Sequence, residues 1–148
     1  MAGADRRVLG PAAVVGLCLA CAASSLAALP APQQATYVSA GGTRLRMLLD
    51  QAMLGGPEVE LGEITFAAGA DSGDHVHGAT EIFYVLSGEL EHVVNGKSVT
   101  LGPGMVGFVR PPDTVRHRTK PGAPTKALVI WAPGGEAARV TSRWKREK

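Results

Sequence analysis

Cysteine is scarce in this chain, with only Cys18 and Cys21 among 148 residues. Two thiols cannot build a disulfide framework or a Cys-rich zinc site. Aromatic residues make up 5% of the sequence, which argues against a base-stacking nucleic-acid surface. Long uninterrupted helical patterns are also missing, because 19 Gly and 10 Pro punctuate the chain at short intervals. A strong charge of either sign is lacking too. The formal net charge is +2, and the excess of cations sits at the two ends. Residues 28–138 carry 8 basic and 11 acidic side chains, a net of −3. That balance suits a cation better than a phosphate backbone, so no nucleic-acid partner is expected. The 45% of hydrophobic residues is enough for one buried core, and the length allows one domain.

Residues 1–27 read as a cleaved signal peptide. Arg6 and Arg7 give the charged start, Ala12 to Ala23 the apolar stretch, and Ser24, Ser25, Ala27 and Ala28 the small residues that follow. Cleavage is expected after Ala22, behind Ala20-Cys21-Ala22, or after Ala27. The stretch is Ala-rich with two Ser, a poor composition for a stable membrane span. The expected location is therefore periplasmic or secreted. A lipoprotein anchored through Cys21, which follows Leu19-Ala20, is the alternative. Cleavage beyond Cys21 would leave no thiol chemistry in the mature protein. Residues 28–36 read as a Pro-containing linker, 37–135 as the folded domain, and 136–148 as a basic tail. Arg143, Lys145, Arg146 and Lys148 are expected to keep that tail solvated.

From Tyr37 onward, short apolar or alternating runs are separated by Gly and Pro. Strands are expected over Arg44–Leu49, Val59–Phe66, Glu81–Leu86, Glu89–Val94, Ser98–Leu101, Met105–Val109, Val115–Thr119 and Thr125–Trp131. Asn95-Gly96 predicts a hairpin with a type I′ turn, and Ser87-Gly88 a second hairpin. Eight strands at about ten-residue spacing predict an all-β antiparallel sandwich or barrel.

Three of the four histidines form one pattern. His75 and His77 are two apart, which on a strand puts both rings on one face. Glu81 keeps the even offset, and His117 lies on a later strand that a closed sheet could bring across from them. Three imidazoles and a carboxylate suit one divalent ion, with Fe, Mn, Ni, Co and Zn all compatible. His92 reads as a structural residue of its hairpin, with a supporting role near a metal as the lesser reading. Asp74 could accept a hydrogen bond behind the first histidine. Phe83 shares parity with Glu81 and could line a cavity. Phe108 and Trp131 read equally as core. Arg44, Arg46 and Arg110 could bind a substrate carboxylate if they faced inward, and Asp71 and Asp113 read as loop residues.

The run Gly69-x5-His75-x-His77-x3-Glu81-x6-Gly88 resembles the first motif of the cupin superfamily at every spacing. Pro112-Asp113-Thr114-Val115-Arg116-His117 resembles the second motif, keeping its Pro and His. Thr114 stands where that motif has Gly, Pro121 where it has Asn, and neither Gly104 nor Gly107 is in register with the upstream Gly. The resemblance spans about residues 40–135. It implies a double-stranded β-helix (jelly-roll) barrel holding one metal through His75, His77, Glu81 and His117. It also implies a small-molecule ligand, and a homodimer as in many small members.

Four ligands would leave two positions open on a six-coordinate ion, enough for an oxygenated substrate. Glu81 is the expected catalytic residue, because a carboxylate beside a cation can exchange between ligand and base. The resemblance extends to quercetinase-like dioxygenases, which makes an exported dioxygenase the leading expectation. Metal-dependent isomerases or lyases, a non-enzymatic metal- or ligand-binding module, and a metal-free interaction barrel are the alternatives.

Overall fold

The computed structural model describes residues 35–148, so the expected signal segment 1–27 and most of the linker lie outside the described residues. Elements follow one another as β1 (Thr36–Val38), β2 (Arg44–Leu49), α1 (Gln51–Leu54), β3 (Glu60–Phe66) and β4 (His75–Val76). Then come β5 (Thr80–Ser87), β6 (Leu90–Val94), β7 (Lys97–Leu101), β8 (Val106–Val109) and β9 (Thr114–Thr119). The chain closes with β10 (Thr125–Ala132), α2 (Glu136–Val140) and β11 (Lys145–Arg146). Each of the eight expected strands is present, within one residue of its expected bounds.

The strands make two antiparallel sheets. One has the order β11-β1-β2-β3-β10-β5-β8, and the other β4-β9-β6-β7. Burial alternates along β3 and β10, as period-2 patterning requires of strands with one face inward. Leu45, Phe66, Phe83, Val85, Leu90 and Val129 pack into one apolar cluster. The result is the all-β antiparallel sandwich that the strand spacing predicts, in the jelly-roll form that the cupin resemblance implies.

Asn95-Gly96 closes β6 onto β7, with φ of 50° and 77° and with Val94 opposite Lys97. Both residues take the left-handed region that a type I′ turn demands. The hairpin expected at Ser87-Gly88 does not form. β5 pairs with β10 and β8, whereas β6 pairs with β7 and β9, so this turn carries the chain from one sheet to the other. Gly88 is needed there for space as well as for its φ of 78°. A Cβ would sit 2.5 Å from the Pro124 carbonyl oxygen and 2.9 Å from Thr125 Cα. A Ser-Gly pair signals a sharp turn, but not which strand the chain meets after it.

Residues 136–148 depart from the solvated tail expected of them. α2 docks on the barrel because Glu60, buried at the start of β3, accepts a hydrogen bond from the Ala137 backbone N–H at 2.9 Å. That carboxylate replaces the missing side-chain cap, since the residue before the helix is Gly135. Trp144 and Val140 pack on the apolar cluster, and β11 adds to the edge of β1 with Val38 opposite Lys145. The basic side chains of β11 remain exposed. Strand pairing uses the backbone, so a charged composition does not prevent it.

Gly88→Ala combines a left-handed backbone with a backbone clash. It should lower the unfolding free energy by at least about 2 kcal/mol. Gly104→Ala has a similar φ of 81° but open space around the new methyl group, and should lower it by about 1 kcal/mol. Denaturant unfolding of the two variants checks this, and equal losses would contradict the clash.

Candidate functional site

β4 sits at one edge of the four-stranded sheet, paired with β9 so that His75 lies opposite Val115. Val76 points outward and is exposed, so His75 and, one residue past the strand, His77 turn to the inner face. Glu81 enters from β5 on the other sheet and is 2% exposed. His117 enters from β9 and is 3% exposed. The structure thus brings together all four residues singled out from the sequence.

Their polar atoms converge. His75 Nε2 lies 3.1 Å from His77 Nε2, and His77 Nε2 lies 3.0 Å from Glu81 Oε2. His117 Nε2 is 3.7 Å from the same carboxylate oxygen. Backbone and side-chain acceptors behind two of the rings assign their protons. His75 Nδ1–H donates to the Gly73 carbonyl at 2.9 Å, and His77 Nδ1–H donates to Glu136 Oε1 at 2.9 Å. With Nδ1 protonated in both neutral rings, two Nε2 lone pairs face each other. That arrangement is repulsive unless a proton or a cation lies between them.

Trp131 Nε1–H donates to Glu81 Oε1 at 2.9 Å and fixes that oxygen. Glu81 Oε2 and His117 Nε2 are buried without any hydrogen-bond partner. Buried polar atoms are rarely left so, and two at one point mark a place built for something else. Among the described residues no group of three or more His, Cys, Asp or Glu side chains is placed so that it could hold a metal ion as it stands. The donors are nonetheless the types that hold divalent ions, and they face one another.

The electrostatics divide the rings. Burial works against a charge on His77, but Glu81 and Glu136 on either side hold its pKa above the ordinary histidine value. Burial pushes His117 well below it, with His92, His75 and His77 adding to the effect. Burial would raise Glu136, yet Arg139 and His77 together hold it below the ordinary glutamate value. Arg139 Nε donates to Glu136 Oε1 at 2.8 Å, and an Arg139 terminal nitrogen donates to the Val76 carbonyl at 2.7 Å.

Phe83 lines the site, with its ring centroid 4.7 Å from that of His117, and Phe66 stands at 5.7 Å from the same ring. His92 is more involved than its hairpin position suggests. It is buried opposite His117 and stacks on it at 5.2 Å. Its Nε2–H donates to the Phe108 carbonyl at 3.1 Å, and its Nδ1 has no partner. Gly107 makes room for this ring, since a Cβ there would lie 3.1 Å from His92 Cδ2. A groove of about 370 Å³ beside β7 and β8 reaches His92, with Val99, Leu101, Val106 and Phe108 along it.

Other sequence candidates lie elsewhere. Arg44, Arg46 and Arg110 are on the outer surface. Arg44 pairs with Glu147, Arg46 contacts Glu63, and Arg110 lies over the exposed Phe108 ring. Asp74 is exposed, and its closest charged contact is Arg116 at 3.9 Å, so it does not support His75. Asp113 accepts from the Asn95 side chain at 2.7 Å. Asp71 does more than shape a loop. It holds the Arg116 guanidinium, with Arg116 Nε donating at 2.7 Å, and it starts the turn that presents Ser72. Ser72 Oγ accepts from the His117 backbone N–H at 2.9 Å.

A two-sheet double-stranded β-helix with one histidine on an edge strand and a second just past it, a glutamate facing them and a third histidine beyond defines a recognisable class. A family model described as "Cupin domain" matches residues 62–133, and the chain belongs to the cupin superfamily. An RmlC-like cupin from Shewanella frigidimarina is 24% identical, with a TM-score of 0.60 over 71% of this chain and 88% of that one. A predicted oxalate decarboxylase from Thermotoga maritima is 22% identical, with a TM-score of 0.60 over 68% of this chain and 92% of that one. The polyketide cyclase RemF from Streptomyces resistomycificus is 26% identical, with a TM-score of 0.55 over 61% and 64% of the two chains. No curated protein matches the sequence. Among the described residues no helix is long and apolar enough to cross a membrane.

Arg116, the Gly73 N–H and nearby Arg118 hold the Asp71 carboxyl below the usual carboxylate range. A depressed folded-state pKa stabilises the fold above the ordinary carboxylate pKa, and the contribution fades as pH falls through the lowered value. The pair is well exposed, so the effect should stay under about 1 kcal/mol. The stability gap between wild type and Asp71→Asn should therefore narrow from about pH 5 towards pH 2. Unfolding titrations across that range check it, and a gap independent of pH would contradict it.

Proposed function

We propose that this chain is an exported, divalent-metal-dependent cupin enzyme of dioxygenase type, acting on a small oxygenated organic molecule. The observation that carries the reading is the pair of partnerless buried atoms, Glu81 Oε2 and His117 Nε2, set beside the facing Nε2 atoms of His75 and His77. Two donors held about 2.1 Å from one ion stand about 3.0–3.4 Å apart at octahedral or tetrahedral angles. The spacings of 3.1 Å for His75–His77 and 3.0 Å for His77–Glu81 fit that range, and the 3.7 Å of His117–Glu81 lies beyond it. The residues that would hold the ion are His75, His77, Glu81 and His117. Fe, Mn, Ni, Co and Zn are all compatible with this set.

When bound, the ion would supply Lewis-acid stabilisation of an oxyanion on the substrate. The chain's own residues supply the rest. Glu81 is the proton carrier. Trp131 holds its Oε1, so Oε2 is the atom that would hold the ion and, on shifting off it, carry the proton. His117, kept neutral by burial, offers a lone pair rather than a charge. Phe66 and Phe83 exclude water from the inner wall, which strengthens the electrostatic interactions inside it. Export rests on the signal-like composition of residues 1–27.

A second reading, a metal-dependent lyase or isomerase that needs no O2, draws support from the similarity to the polyketide cyclase RemF. Metal analysis and aerobic against anaerobic turnover separate the two. The full chain, purified without a His tag, should hold about one equivalent of metal, and a His75→Ala/His77→Ala variant little. Products formed from oxygenated aromatic or diketone substrates should vanish without O2. Steady anaerobic turnover would replace dioxygenase with lyase or isomerase, and metal without turnover would favour a binding module. No metal in the parent even after reconstitution would overturn the proposal.

A further inference from the structure

Glu136 belongs to neither cupin-like motif and lies in the segment read from sequence as a basic tail. The structure buries its carboxylate against His77. Oε1 accepts from His77 Nδ1–H at 2.9 Å, and Oε2 accepts from the Gly78 backbone N–H at 3.2 Å. Both acceptors grip the short stretch that leads from β4 to β5. Arg139, one turn further along α2, holds the same carboxylate and also the Val76 carbonyl. A Cβ on Gly78 would lie 3.2 Å from Glu136 Oε2, so the absence of a side chain there lets the carboxylate approach.

We infer that Glu136 is the positioning residue of His77, and that α2 is a working part of the metal site. The inference rests on the metal reading above and deepens it. An imidazole offers a lone pair at Nε2 only when its proton is on Nδ1, and an acceptor behind Nδ1 fixes both that tautomer and the ring's direction. Glu136 does this for His77, as the Gly73 carbonyl does for His75. A carboxylate is the stronger of the two acceptors, and it makes the opposite nitrogen a more basic donor. Glu60 on the Ala137 N–H and β11 on β1 anchor the helix that carries Glu136. The C-terminal segment therefore couples to cation affinity through the Glu136 carboxylate, which Arg139 holds in place.

Zn2+ alone is the probe, with affinity measured on the full chain by competition with a chromophoric chelator. Glu136→Ala should weaken binding about 10- to 100-fold, the usual effect of removing such a partner. Glu136→Gln keeps the shape and one acceptor oxygen. It should recover part of the affinity while melting, in chelator, close to wild type. Glu147→Gln, which removes a carboxylate from the same segment away from His77, should bind as wild type does. Affinity of Glu136→Ala within about twofold of wild type would overturn the inference, as would losses that simply follow melting temperature across the variants. A wild type that takes up no Zn2+ marks failure of the metal reading instead, and the imidazole 15N spectrum of the metal-free protein then decides. A hydrogen-bonded His77 Nδ1–H present in wild type and lost in Glu136→Ala supports the positioning role. Identical spectra overturn it.

Discussion

Two imidazole nitrogens that both present lone pairs cannot rest 3.1 Å apart, deep in a sheet sandwich, unless positive charge lies between them. The rest of this molecule is arranged around that demand. Glu81 brings its free oxygen to the same point, and His117 adds another unprotonated nitrogen. Without a metal, the charge available is a proton, and the carboxylates of Glu81 and Glu136 on either side of His77 favour it on that ring. A divalent cation meets the same demand more fully, because it can also engage His117 Nε2, which a proton on His77 leaves without a partner.

The fold delivers this convergence through strand alternation. His75 and His77 reach the interior only because Val76 between them faces out. Glu81 does so because β5 keeps its odd-numbered residues inward from Glu81 through Phe83 to Val85. The same parity carries a supporting layer, with Trp131 opposite Glu81 on β10 and His92 opposite His117 on β6. Each partner restrains a donor that would otherwise be free to rotate. Trp131 does so with an N–H and His92 with a stacked ring. Slipping a strand by one residue would reverse every one of these directions, so register holds the site together more than any single contact does.

Much of this was legible because period-2 patterning and Gly or Pro breaks act locally. The eight main strands and the Asn95-Gly96 turn depend on neighbours in the chain, and so does the shared face of His75 and His77. What depends on distant partners was not visible. Ser87-Gly88 signals a turn, but the sheet that receives β6 is chosen by β9, nearly thirty residues away. Glu136 lies 59 residues from His77, and neither spacing nor composition links them. The charged run after it suggested solvent, although its backbone could still pair and its Trp144 could still pack. Glu60 drew no notice in the sequence, because the helix end it caps lies 77 residues further on. His92 was placed on a hairpin correctly. That it faces His117 follows from the pairing of β6 with β9, and the missing side chain of Gly107 leaves room for its ring.

The central claim is that one cation belongs at the meeting point of His75, His77, Glu81 and His117. Anomalous diffraction from crystals soaked in Mn2+, Co2+ or Zn2+ tests it most directly. The account predicts a single strong peak about 2.0–2.2 Å from the three Nε2 atoms and Glu81 Oε2, with His77 still bonded to Glu136. No peak at that point, or a peak held by other residues while these four keep their present contacts, would contradict it.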